Sequence, residues 1–554
     1  GLVAYFWRNA PARRTLLEAF GIIMLLFVMG EVRQHWWGEE SWKGVASSEI
    51  KAYTPGDPQV LWSPYQKLTL VPLNKDGKTM RYVLNTNDSW FQQILDLRDT
   101  STQRIESTRL GAPVRFQQYN LPYAFLDRKP QRVLIAGGGM GNDAAAALRN
   151  GASYVDVAEI DPLIVSHGRD VHLEHPYRDP RVHVHVNDAR AYVENATAKY
   201  DLIVFSILDS HTTTSNYTNI RLDNYVYTLE ALEATRKLLA PDGVFVMSFS
   251  SERAWFGQRL KDVATKAFGQ APIVVKPDMY YIVEGNGGTV QRALAADPAL
   301  RAFVAERQDK LAPEPAAAIT DDWPYLYQQN RGIPVIIWVM SLGLIAVCTL
   351  AFRSLNTSTK GGRFDWHFFF LGAAFMLLEV QVISKVALLF GTTWLINSIV
   401  ISALLAFILL SNAVAATFPR FPRPVAYGGL FVMLLVSYLV PAHAIFFDSV
   451  GLRTLAAMGL YCSPVFFAGL IFISSFRDIG FRAEAFGANL LGSLVGGLLD
   501  SLSFAIGLNA LVLVAAALYA LSMITRRRTA AAAGAAQPNA APAPRAAELA
   551  AAGD

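Results

Sequence analysis

The chain has 554 residues, 52% hydrophobic and 17% charged, with a formal net charge of +4. Soluble proteins carry about 25% charged residues, so this composition excludes a wholly soluble chain and fits soluble and membrane parts joined together. No basic run is interleaved with aromatics, which excludes a nucleic-acid surface. The two cysteines, Cys348 and Cys462, both lie in apolar stretches and can build neither a disulfide framework nor a cysteine-based metal site.

Residues 1–44 read as one transmembrane helix, over 16–30, with its flanks; that helix is apolar except for Glu18. The chain starts at Gly1, and residues 1–7 are apolar without the form of a cleavable signal peptide, which leaves open whether N-terminal helices precede them. Residues 45–330 have soluble composition. Alternation over 65–71, the turn Asn74-Lys75-Asp76-Gly77 and the return over 81–84 predict a hairpin. Strands are then expected at 132–136, 153–159, 182–186, 201–207 and 243–249. Helices are expected between them at 142–150, 162–170, 188–195 and 228–239. This alternation predicts a parallel sheet with helices on both faces. Over 331–525 the spacing predicts transmembrane helices at 333–352, 367–389, 394–417, 425–446, 454–475, 484–503 and 507–524. The Ala/Pro-rich residues 526–554 form an expected disordered tail.

The loop charges predict an orientation. Arg8, Arg13 and Arg14; Arg353, Lys360 and Arg363; Arg420 and Arg423; Arg477 and Arg482; and Arg526–Arg528 all fall on one side if every helix spans. That side is expected to be cytoplasmic, with the soluble domain on the other face.

The first strand runs into Gly137-Gly138-Gly139-Met140-Gly141, and Glu159 follows 18 residues after Gly141. A buried strand, a glycine turn and a following strand that ends on an acid together hold a nucleoside. The glycines admit close backbone approach, and the acid accepts the ribose hydroxyls. Gly137, Gly139 and Gly141 give Gly-x-Gly-x-Gly, with Asn142 where a dinucleotide loop has its third glycine. Asp143 in the first helical turn would repel a diphosphate. Both features point to S-adenosylmethionine or a close relative as co-substrate. Asp188 either accepts from an adenine amino group or only caps the helix that follows it.

Taken in order, the hairpin with Tyr65-Gln66, the glycine loop, Glu159-Ile160-Asp161, Asn187-Asp188-Ala189 and Leu239–Val244 resemble the spermidine synthase family. These are polyamine aminopropyltransferases, and the resemblance covers roughly residues 60–250. It implies an α/β class I methyltransferase-like (Rossmann-like) domain with an N-terminal β-hairpin region, fused to a polytopic α-helical membrane domain. Thr320–Tyr327 and 372–391 resemble segments of membrane-fused bacterial relatives, which implies a multi-pass protein of the bacterial inner membrane. The resemblance also implies Gln66, Gly137, Gly138, Gly139, Gly141, Glu159 and Asp188 as the nucleoside-binding set.

Two departures stand out. Met140 occupies a position where the family has an acid. Ser206 replaces the first Asp of an Asp-x-x-Asp motif, whose second acid is Asp209. A serine without a partner cannot take a proton from an ammonium near neutral pH, which puts ordinary spermidine synthesis in question. Asp209 and His211 are the candidate catalytic residues, His211 as a base near pH 7. Tyr217, Arg221, Asp223, Tyr225 and Tyr227 either line a substrate pocket or pack a lid. Asp321 and Asp322 either pair as acids or cap the turn into the membrane.

Within the membrane half, Glu379, Lys385 and Asp500 are candidates for function because ionisable groups at that depth are costly. Gly492-x-x-x-Gly496 is expected to pack helices closely. The sequence thus predicts a membrane-anchored transferase that moves an aminopropyl or methyl group to a small-molecule or lipid-like acceptor. No nucleic-acid partner is expected, and homo-oligomerisation is left open. The alternative is a membrane transporter or structural protein whose nucleoside-binding domain is a non-catalytic sensor.

Overall fold

The computed structural model describes residues 53–87, 89–208, 225–251, 253–308, 314–356, 364–391, 394–440, 445, 450–478 and 482–526. The expected helix over 16–30, the catalytic candidates Asp209 and His211, Tyr217, Arg221, Asp223 and nearly all of the C-terminal tail lie outside these residues.

A small antiparallel sheet comes first: β1 (Thr54–Pro55), β2 (Gln59–Trp62), β3 (Lys67–Lys75), β4 (Lys78–Thr86) and β5 (Ser89–Gln93). Asp76 and Gly77 both have positive φ, 53° and 74°, as a two-residue hairpin turn requires. The period of two turns Leu68, Leu70 and Leu84 to one face. There they pack with Ile94, Met140 and Ile164.

The large sheet has seven strands: β6 (Arg132–Ala136), β7 (Tyr154–Glu159), β8 (Val182–Val186), β9 (Tyr200–Phe205), β10 (Leu239–Phe249), β11 (Ile273–Val275) and β12 (Tyr280–Gly285). Their order is β11-β12-β10-β9-β6-β7-β8. The run from β10 to β8 is parallel, while β12 lies antiparallel on β10 and β11 antiparallel on β12. Val133, Leu134 and Ile135 are fully buried, as a strand covered on both faces must be. The chain winds from β6 to β8 on one side, then crosses back to β9 on the other. This is a topological switch point, and it opens a crevice at the carboxyl ends of β6 and β9. That order is the doubly wound core the sequence predicts. Its strand limits differ from expectation mainly at β10, which starts at Leu239 and carries an irregularity between Leu239 and Val244.

The helices that flank the sheet include α1 (Asn142–Arg149), α2 (Pro162–Val171), α3 (Ala189–Asn195), α4 (Leu229–Leu238) and α5 (Ala254–Phe268). The C-terminal region is helical: α6 (Val335–Asn356), α7 (Trp366–Phe390), α8 (Trp394–Thr417), α9 (Arg423–Leu439), α10 (Val450–Tyr461), α11 (Ser463–Arg477), α12 (Arg482–Leu499) and α13 (Ala510–Thr525). Among the described residues, four segments are long and apolar enough to cross a membrane: Trp366–Phe390, Ser398–Thr417, Gly451–Arg477 and Glu484–Ile506. Three shorter apolar helices accompany them. The expected helix over 425–446 ends at Leu439. The expected 454–475 helix breaks at Cys462, because Pro464 offers no backbone N–H and crowds the preceding turn. The expected 484–503 helix ends at Leu499 and continues as a 3₁₀ turn, Asp500–Leu502, and a short helix, Ser503–Ile506.

The two regions meet in a polar junction. Asp321 turns toward the soluble domain, with Arg190 at 3.0 Å and the Thr228 hydroxyl at 2.6 Å. Asp322 turns the other way and accepts from the Asn509 amide at 2.8 Å. The two acids therefore do not pair. Each caps one side of the turn. The Trp323 indole donates to the Phe504 carbonyl at 2.9 Å. The buried Arg259 guanidinium donates to the carbonyls of Leu326 and Gln328, both at 2.7 Å, and thereby fixes the 317–329 segment on α5.

Candidate active site

The crevice holds a cavity of about 210 Å³. Its floor is the glycine loop. Gly137 (φ 79°) and Gly139 (φ 51°) both line the cavity in a backbone conformation that a side chain resists. A Cβ on Gly137 would lie 2.2 Å from Leu208, and one on Gly139 would lie 2.6 Å from the Gln92 amide. Glu159 ends β7 beside this loop. One of its oxygens accepts from the Gly139 amide at 2.8 Å, the other from the Asp161 amide at 3.0 Å. A carboxylate oxygen has two lone pairs, so capacity remains on the cavity side. Burial pushes the Glu159 carboxyl above its usual range, although these amides oppose the shift.

The small sheet closes one wall. Gln92 accepts from the Met140 amide at 2.7 Å, and Asn142 donates to the Gln93 carbonyl at 2.8 Å. The Leu95 amide donates back to Asn142 at 3.2 Å. Asn142 thus ties the start of α1 to the small sheet. His172, buried against Asn142 at 3.1 Å, is pushed down to about 3 by burial and stays neutral.

Of the residues expected on the nucleoside, Gln66, Gly137, Gly139, Glu159 and Asp188 all line this cavity. Gln66 reaches Asp161 at 3.3 Å. Gly138 and Gly141 do not line it. Gly138 is needed for packing, since a Cβ there would lie 2.2 Å from Val157, and Gly141 (φ 108°) starts α1. Asp188 does cap α3, accepting from the Ala191 amide at 3.0 Å, and it faces the cavity as well. Of the polar-aromatic cluster, Tyr225 and Tyr227 are described; both are buried, and neither lines the cavity.

The remaining lining includes Gln92, Gln118, Tyr119, Asp143, Ile160, Ser206, Leu208, Ser248, Met279 and Tyr281. Tyr119, Met279 and Tyr281 carry no local pattern that marks them: Tyr119 comes from the segment before β6, and Met279 and Tyr281 arrive with β12, which enters the sheet between β10 and β11. The buried Ser206 hydroxyl lines the cavity near the Asp143 carboxylate and, among the described residues, has no hydrogen-bond partner, as the sequence suggested. Burial pushes Asp143 up to about 7. Met140 is fully buried among Leu68, Leu84 and Ile164 and stays outside the cavity, so this position adds no polar group to the site.

Residues 120–298 match the spermine/spermidine synthase domain family. The soluble domain is spermidine synthase-like. Polyamine aminopropyltransferase 2 of Hyperthermus butylicus is 28% identical over 185 residues, covering 32% of this chain and 57% of that protein. The polyamine aminopropyltransferase of Vibrio vulnificus is 31% identical over 129 residues, covering 23% and 40%. The chain therefore spans about half the length of these relatives or less. Among solved structures, spermidine synthase from Thermotoga maritima aligns at 16% identity over 50% of this chain and 86% of that one, with a TM-score of 0.32. The matched stretch of the spermidine synthase-like domain holds the glycine loop, Glu159, Asp143, Asp188 and Ser206, and so most of the cavity.

Proposed function

We propose that the protein is a membrane-anchored aminopropyltransferase. It takes the aminopropyl group of decarboxylated S-adenosylmethionine to an amine acceptor and releases methylthioadenosine. One observation carries this reading: the glycine floor, Glu159 and Asp188 converge on one cavity at the switch point, inside the stretch that matches the spermine/spermidine synthase domain. Glu159 takes the ribose hydroxyls, Asp188 the adenine amino group, and Ile160 and Leu208 the faces of the base. The relatives' names favour the decarboxylated nucleoside over S-adenosylmethionine itself. The sulfonium supplies its own leaving group, so the protein's task is to hold the acceptor in line and remove its proton. The helices anchor this chemistry at a bilayer, which favours a small or lipid-like amine that reaches the site from the membrane surface.

The test uses the full chain in detergent. Calorimetry measures binding of methylthioadenosine, and mass spectrometry follows methylthioadenosine formation from decarboxylated S-adenosylmethionine with putrescine, cadaverine or dodecylamine. Binding followed by turnover is expected. Binding without product would favour a nucleoside sensor, and no binding would sink both readings.

A further inference from the structure

Three carboxylates line the cavity, and two are committed to the backbone. Glu159 holds the amides of Gly139 and Asp161, and Asp188 holds the amide of Ala191. Asp143 is different. It is 7% exposed, stands in the first turn of α1, and lines the cavity together with Ser206, which follows the end of β9. Gly137 lies between them at the carboxyl end of β6, where a Cβ would sit 4.0 Å from that of Ser206. The pair therefore occupies the switch point itself.

The surroundings of Asp143 hold little compensating charge. Tyr119 and Tyr123 from the 116–124 segment, Tyr177 after α2 and Tyr281 on β12 all feel its charge. Arg149, six residues on in the same short helix, is the one cation among the described residues that acts on it. That guanidinium is already engaged by Glu174 at 2.5 Å and Asn120 at 3.2 Å. A buried carboxylate without a direct ion partner is costly, yet the fold keeps this one in the cavity wall. Tyr119 and Tyr281 line the same wall, while Glu159, Ile160 and Asp188 line the nucleoside end.

We propose that Asp143, adjoining Ser206, is the catalytic base that deprotonates the acceptor amine. This rests on the aminopropyl-transfer reading above. The acceptor's ammonium gives one N–H proton to the Asp143 carboxylate. The freed lone pair attacks the methylene carbon bound to the sulfonium. A C–N bond forms, and the C–S bond breaks with its electron pair going to sulfur. The products are methylthioadenosine and a secondary ammonium, and Asp143 passes its proton to water. A carboxyl pushed up to about 7 is ionised often enough, and basic enough, for this role near neutral pH.

The experiment compares the full-length wild type with Asp143→Asn in detergent, using the same amines. Methylthioadenosine formation is followed from about pH 5.5 to 9, and methylthioadenosine binding by calorimetry. Wild-type turnover is expected to fall on the acid side with a midpoint near 7. Asp143→Asn is expected to lose roughly 10²–10⁴-fold in rate, keep methylthioadenosine affinity within about threefold, and lose the acid limb. Adding Ser206→Asp to Asp143→Asn, which puts a carboxyl on the neighbouring strand end, is expected to restore at least tenfold. An active wild type with an Asp143→Asn variant of equal rate and pH profile overturns the base assignment alone. So does a variant that loses turnover only in step with nucleoside affinity. If the variant does not fold, a flat wild-type profile between about pH 5.5 and 8 overturns it. A wild type that binds methylthioadenosine and turns nothing over overturns the transfer reading first.

Discussion

Asp143 and His172 flank the glycine loop, and burial shifts them in opposite directions. Asp143 rises to about 7, and His172 falls to about 3. For Asp143 the native state binds the extra proton, so its contribution to stability falls as pH rises from about 4 to 7. For His172 the unfolded chain binds the extra proton, so stability is lost as pH falls from about 6.5 toward 3. Between about pH 4 and 6.5 the two slopes oppose each other. Asp143→Asn removes only the first. The variant is therefore expected to gain stability over wild type, by an amount that grows from nil near pH 4 to at most roughly 4 kcal/mol above pH 7. Thermal melts of both proteins across that range check the sign. A gain that does not grow with pH would show that Asp143 ionises as an ordinary surface acid does.

At the scale of elements, the closest approach in the helical region is between α7 and α12. A Cβ on Gly492 would lie 1.9 Å from the Phe369 carbonyl, and one on Gly496 2.2 Å from the Ala373 carbonyl. Gly372 answers from α7, where a Cβ would lie 2.1 Å from the Asn489 carbonyl. These are backbone atoms that cannot swing aside, so the glycines set the helix separation. Gly496→Val is expected to force the pair apart and cost about 1–3 kcal/mol, read as a lower melting temperature with methylthioadenosine affinity unchanged. An unaltered melting temperature would mean that the two helices do not pack through these glycines. Lys385, on the same α7, does not reach for the surface. Its ammonium donates to the Ser437 carbonyl at 2.5 Å, inside the bundle.

At the scale of the whole molecule, α7 runs from Asp365 to Gly391, where a Cβ would lie 2.4 Å from that of Asp188. The end of a long apolar helix thus abuts the acid that lines the cavity. Arg453 at the start of α10 also touches the domain, donating to Asn195 at 2.5 Å. The basic residues gather at the opposite pole: Arg423 pairs with Asp478, and Arg477 reaches the Pro419 carbonyl. If the positive-inside rule holds, that pole is cytoplasmic and the soluble domain faces away. A single cysteine at the exposed Glu306, with Cys348 and Cys462 changed to serine, tests this proposal. An impermeant maleimide is expected to label it in intact spheroplasts. Labelling only after lysis would put the domain in the cytoplasm.

The strand–helix alternation, the hairpin turn at Asp76-Gly77, the glycine floor and the run of apolar helices were all legible in the sequence. Each follows from local chemistry: a periodicity, a positive φ, or a run of apolar side chains. Glu159 and Asp188 were legible too, because strand ends on a doubly wound sheet meet at one edge. What the tertiary structure alone decided was which side each remaining group faces. Met140 turns into the small sheet because Leu68, Leu84 and Ile164 converge there from distant stretches of the chain. Ser206 and Asp143, 63 residues apart in sequence, come to line one cavity only because β6 and β9 run side by side. Local sequence specifies backbone and periodicity. The placing of a carboxylate and a hydroxyl in one cavity wall, and the burial that raises the carboxyl's pKa, exist only once the sheet has closed.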